Sequence, residues 1–93
     1  MTVKVRLPTI LRSFAGGQSS VAAAGATVGE VVDDVVRQFP GTASHLKAAD
    51  GGLHRFVNIY LNDEDVRYLG GLETPVTEGA ELSVVPGVAG GGG

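Results

Sequence analysis

One stretch of this sequence carries a sustained helical period. Val28, Val31, Val32, Val35, Val36 and Phe39 recur at three- and four-residue spacing, while Asp33, Asp34 and Arg37 fall toward the other side. Thr27 and Glu30 stand where a capping box sets its N-cap and N3 residues, and Pro40-Gly41 ends the run. Valine is stiff at χ1 and a poor helix former, so tertiary packing must supply most of this helix's stability. A chain with one such helix needs a sheet to bury it against, which is an α+β two-layer solution.

The strands of that sheet read from period-2 alternation. Val3, Val5 and Leu7 alternate with Lys4 and Arg6 up to Pro8, and Ala15-Gly16-Gly17-Gln18 turns the chain toward a second strand over residues 19–24. Together they predict an opening hairpin with a longer loop. After the helix, residues 42–49 could form one further short helix before Asp50-Gly51-Gly52 breaks the chain. A strand follows over residues 56–61, then a polar turn, Asn62-Asp63-Glu64-Asp65, and a short Val66-Arg67-Tyr68 segment. Thr77-Glu78-Gly79-Ala80 leads into a final strand over residues 82–85. The order of hairpin, helix and further strands fits a β-grasp with first and last strands parallel at the centre. Other small α+β sheets fit it too. The expected layout is a domain over residues 1–87 and a flexible glycine-rich tail over residues 88–93.

Composition narrows the chemistry. The chain has 93 residues, 43% of them hydrophobic, enough for one modest core. Cysteine is absent, which removes disulfides, thiolate metal sites and cysteine nucleophiles. A reducing cytoplasm fits that absence. No apolar run approaches the roughly 20 residues of a membrane span. The net charge of −3, with basic residues scattered from Lys4 to Arg67, argues against nucleic-acid binding, which needs a concentrated basic patch. His45 and His54 lack metal-site spacing, and Asp63-Glu64-Asp65 lacks the alternating ligands and downstream Glu of a calcium loop. No serine has a nucleophile-elbow context. No metal site, bound cofactor or catalytic residue is expected; the chain reads as something other than an enzyme.

The C-terminus is different. Gly90, Gly91, Gly92 and Gly93 lack side chains and can follow backbone paths barred to other residues. Such a tail can thread a narrow channel and present its carboxylate inside another protein, with a reach from Pro86 of roughly 25 Å when extended. Taken alone it is equally a flexible linker.

The ending Val84-Val85-Pro86-Gly87-Val88-Ala89-Gly90-Gly91 resembles that of the thiamine and molybdopterin type of ubiquitin-like sulfur carriers, β-grasp proteins with a terminal diglycine. The stretches Leu7-Pro8-Thr9-Ile10-Leu11-Arg12, Gly16-Gly17-Gln18, Leu53-His54-Arg55-Phe56-Val57-Asn58-Ile59-Tyr60 and Asn62-Asp63-Glu64-Asp65-Val66-Arg67 are similar to the actinobacterial sulfur carriers of cysteine biosynthesis. This resemblance implies a terminal glycine that is adenylated by an ATP-dependent, ubiquitin-activating-like enzyme and converted to a thiocarboxylate. It further implies a pyridoxal-phosphate cysteine synthase as sulfur acceptor and a zinc peptidase that releases the product. The carrier itself would hold no cofactor and would act as a cytoplasmic monomer. Serving thiosugar, thiamine or molybdopterin pathways, or modifying other proteins, are alternatives. The family pattern ends at Gly90-Gly91, so the reactive carboxylate falls on Gly93, or on Gly91 after trimming, with Val88 to Gly92 as the arm. If Val57, Ile59, Leu82 and Val84 face the helix, then Arg6, Phe56, Tyr60 and Val85 share the uncovered sheet face and form a partner-docking patch.

Overall fold

The computed structural model describes residues 2–49, 52–54 and 57–86. The alternating N-terminus builds strand β1, Thr2–Arg6, with Val3 and Val5 buried and Lys4 and Arg6 exposed. It pairs antiparallel with β2, Ser20–Ala24, from Thr2 opposite Ala24 to Arg6 opposite Ser20. The hairpin connection is more structured than a loop: helix α1, Thr9–Arg12, continues into a 3-10 turn over Ser13–Ala15. Leu11 and Ala15 anchor this turn in the core, and Gly16 and Gly17, both at positive φ, then redirect the chain.

Helix α2 spans Val28–Gln38, and Phe39 closes it by donating its N–H to the Val35 carbonyl. The capping box forms with one shift. The Glu30 N–H donates to Thr27 Oγ1 at 3.2 Å, whereas the Glu30 carboxylate accepts from the N–H of Ala26, one residue ahead of the N-cap, at 2.8 Å. The region after Pro40 holds less helix than expected: a 3-10 turn, Pro40–Thr42, and one short helix, α3, Ala43–Leu46. Lys47 is already extended, and the Ala48 N–H donates to the Gly52 carbonyl, so the backbone there closes a turn instead of another helical step.

Strand β3, Val57–Leu61, hairpins into β4, Glu64–Asp65. The polar turn is therefore two residues long, not four. Asn62 and Asp63 both take positive φ, the conformation of a tight hairpin turn, and their short polar side chains tolerate it. Two 3-10 turns, Val66–Tyr68 and Gly71–Glu73, lead to β5, Glu81–Pro86. β5 lies between β1, to which it is parallel, and β3, to which it is antiparallel. The strand order β2-β1-β5-β3-β4 is that of a β-grasp.

Val28, Val31, Val32 and Val35 of α2 are buried with Val3, Val5, Val21, Ala23, Ile59, Leu82 and Val84 of the sheet. One face is thus covered by the helix. Among the described residues, no helix is long and apolar enough to cross a membrane. Asp50-Gly51, Arg55-Phe56 and residues 87–93, which include the tail expected over residues 88–93, lie outside the described residues.

The edge strand β2 is closed by side chains of α2. Asp34 Oδ2 accepts the Ala24 N–H at 3.0 Å, and Gln38 Nε2 donates to the Ala22 carbonyl at 3.0 Å. Gln38 also donates to Asp34 at 2.9 Å, and Arg37 pairs with the same carboxylate. One residue of an added parallel strand would offer the same pair of bonds, so these two side chains occupy the edge that another chain could otherwise extend.

The Ala24 N–H, then Arg37, hold the Asp34 carboxyl below the ordinary carboxylate range. Its contribution is present above the unfolded pKa of about 3.9 and is lost as the pH falls through the lower folded value. Asp34→Ala should therefore cost about 1 kcal/mol at neutral pH, with the difference from the parent chain vanishing in strong acid, as read by denaturant unfolding. The double variant Asp34→Ala/Gln38→Ala should also self-associate in light scattering, where a monodisperse sample would show that the edge needs no guard. Thr27→Ala should cost about 1 kcal/mol by the same unfolding assay through loss of the cap.

Candidate functional site

Alternation fixes what the uncovered sheet face presents. Since Val5, Leu82 and Ile59 point inward, their neighbours point out, and register aligns them across the strands. Arg6 lies opposite Ser83, Ser83 opposite Tyr60, and Tyr60 opposite Asp65, a row across four strands. Beside it Lys4 pairs with Glu81, and Val85 with Asn58. Lys4 Nζ and Arg6 Nη1 both approach the Glu81 carboxylate, at 3.9 and 3.8 Å. These are loose, exposed contacts that leave both cations available to a partner. Val85 is 40% exposed in the same face.

The structure thus brings together Arg6, Tyr60 and Val85 of the expected docking patch. Phe56, its fourth member, and the arm Val88, Ala89, Gly90, Gly91, Gly92 and Gly93 lie outside the described residues. Sequence reasoning missed Glu81 and Ser83, although the same alternation that buries Leu82 and Val84 turns them outward. It also missed the far side of the patch. Asp65 caps the 3-10 turn by accepting the Arg67 N–H at 2.9 Å, and its other oxygen accepts from Arg67 Nη2 at 2.7 Å. Those bonds to Arg67, the side-chain ones foremost, hold the Asp65 carboxyl below its usual range. The acid is therefore charged at neutral pH and committed to an internal ion pair.

The two histidines of the sequence sit apart from that face: the His45 ring packs on Phe14 with centroids 5.2 Å apart, and the backbone N–H of His54 donates to the Leu46 carbonyl at 2.9 Å. Among the described residues no group of three His, Asp or Glu side chains could hold a metal ion. A shallow depression of about 360 Å³ over β1 and β2 is lined by Thr2, Lys4, Gln18, Ser20 and Ala22 among others, and holds no carboxylate or imidazole to act as a general base. Among the described residues the geometry offers an open sheet face and the end of a central strand. β5, the central strand, runs out of the sheet at Pro86 beside the docking row, and seven further residues follow it.

Comparison with known proteins gives this arrangement a family. The model of the ThiS family matches residues 5–91. The sulfur carrier protein CysO of Mycobacterium tuberculosis is 50% identical over 93 residues, spanning 98% of this chain and all of that protein. Small archaeal modifier protein 3 of Haloferax volcanii is 38% identical over 66 residues, 71% of each chain. Among solved structures, the crystal structure of the Amycolatopsis orientalis BexX/CysO complex contains a chain that superposes with a TM-score of 0.86 at 51% identity, covering 95% of this chain and 98% of that one. With the family model matched over residues 5–91 and a relative half identical over its whole length, the chain belongs to the ThiS family.

Proposed function

We propose that this chain is a sulfur carrier whose C-terminal glycine is adenylated and converted to a thiocarboxylate, and that the sulfur serves cysteine biosynthesis. The observation that carries the reading is the course of β5. A strand fixed on both sides runs into a glycine arm, in a chain half identical to a protein named as a sulfur carrier. The arm supplies a carboxylate and nothing else, so partners supply the chemistry. The carboxylate oxygen attacks the α-phosphorus of ATP and pyrophosphate leaves. Sulfide then attacks the acyl carbon, AMP leaves, and the acid has exchanged one oxygen for sulfur. Activation is needed because a carboxylate is a poor acyl donor, whereas AMP is a good leaving group.

The partners in this reading are a ubiquitin-activating-like adenylyltransferase, a pyridoxal-phosphate cysteine synthase that accepts the sulfur, and a zinc peptidase that frees the product. ATP, pyridoxal phosphate and zinc belong to them. The carrier acts in the cytoplasm as a monomer and is not itself an enzyme. A protein partner is supported by the relative solved in complex with BexX. The open face meets the activating enzyme through Arg6, Tyr60 and Val85, with Phe56 completing the patch. A second reading, conjugation to lysines of other proteins, draws on the likeness to an archaeal modifier protein. The same adenylate serves both fates. Delivery to thiosugar, thiamine or molybdopterin synthases would use it too, and transfer to each purified synthase separates these routes.

Incubation with an activating enzyme, ATP and sulfide should shift the intact mass by one sulfur for one oxygen. No stable shift would remove the carrier reading. Chains ending at Gly91 and at Gly93 should differ in rate, because each added residue moves the carboxylate by up to about 3.5 Å. A misplacement of about 1 Å can already cost a hundredfold. The double variant Arg6→Glu/Tyr60→Ala should slow adenylation at least about tenfold, the scale of losing a docking hot spot; unchanged adenylation would exclude the face as the docking surface.

A further inference from the structure

β5 ends at the same end of the sheet as α1, which carries an apolar ridge that the open face does not include. Ile10 is 57% exposed and Phe14 41% exposed, one helical turn apart on α1 and its 3-10 continuation. The opposite side of the same turn is sealed into the core by Leu11 and Ala15. Phe14 is held in place, not merely left out. Its ring rests on His45 at 5.2 Å, and a Cβ at Gly41 would stand 2.7 Å from Phe14 Cδ1, so the glycine makes the seat. A large ring fixed on one side and open on the other loses little freedom when a partner covers it, which is the economy of a binding hot spot. Between the two apolar residues, Arg12 spends its Nε on the Leu7 carbonyl at 3.1 Å and forms no ion pair among the described residues.

The position of the ridge says what covers it. β1 and β5 run in parallel with Arg6 opposite Ser83. Three residues further on, the two segments reach Thr9, where α1 begins, and Pro86, where β5 ends. Residues 87–93 can reach at most about 25 Å. An enzyme that draws the terminal carboxylate into its active site brings the mouth of its channel within that reach of this end of the sheet, where α1 lies.

We infer that the Ile10–Phe14 ridge is a second docking contact, seated in an apolar pocket with a carboxylate on its rim at the channel mouth of the enzyme that adenylates the tail. This rests on the carrier reading and adds to it a contact outside the open face. The test is the rate of sulfur addition, read by intact mass against carrier concentration, with activating enzyme, ATP and sulfide. Ile10→Ser and Phe14→Ser should each raise the carrier KM about tenfold while kcat at saturating carrier stays near that of the parent chain. Gly41→Ala, which displaces the ring without removing it, should raise KM in the same direction. Ile10, the more exposed residue, keeps the test sound if Phe14→Ser loses stability. Sulfur addition to the parent chain with unchanged KM for Ile10→Ser overturns the ridge alone. No sulfur addition to the parent chain overturns the carrier reading and the ridge with it.

Discussion

The parallel pairing of β1 with β5 is the constraint on which the rest of this molecule depends. It joins the first and last strands of the domain, so the sheet cannot complete before the whole chain has been threaded around α2. The pairing is fixed by short-range chemistry: the Lys4 N–H donates to the Ala80 carbonyl at 3.0 Å and the Gly79 N–H to the Thr2 carbonyl at 3.1 Å, just ahead of the ladder. Parallel strands are seldom stable with an open face on both sides. Here α2 covers one face, and antiparallel neighbours on either side support the pair. The consequence for function is geometric. β5, after which residues 87–93 follow in sequence, is paired on both sides.

Much of this architecture was legible because it rests on periodicity. The α2 stripe, the β1 alternation and the Thr27 cap each follow from side-chain chemistry within a few residues. The parallel centre was one of the small α+β arrangements that the element order allowed, and the β1–β5 register selects it. What escaped is what depends on distant residues. α1 was invisible because a four-residue helix has no period to read, and it exists only because Leu11 and Ala15 find the core. β4 was taken for turn because Glu64 and Asp65 are poor strand formers, and their pairing is imposed by the tight reversal at Asn62-Asp63. The short helix expected after Pro40 forms but ends at Leu46, for a related reason, since Ala48 found a partner in Gly52 that helical propensity cannot foresee.

The docking patch shows the same division. Arg6, Tyr60 and Val85 come from alternation alone and share the open face as expected. The ion pair of Asp65 with Arg67 lies at the end of that row, and the Phe14 seat on Gly41 and His45 joins segments some thirty residues apart in sequence, from Phe14 to His45. No local pattern announces either.

The two surfaces also suit the duty of a carrier, which must leave each partner as readily as it meets it. Burying a large apolar interface would slow release, since affinity differences between related complexes lie mostly in dissociation. The open face instead offers a few half-exposed side chains and two cations loosely satisfied by Glu81, contacts worth little singly and replaceable on exchange. On the proposed reading its specificity comes from geometry: a central strand paired on both sides, a seated ring on α1's continuation, and a row of aligned side chains on the open face. The guard on β2 serves the same end. A sheet edge left open would offer strand addition to any extended segment, an association with backbone affinity and little selectivity, and Asp34 and Gln38 occupy that position at β2 while leaving the open face untouched.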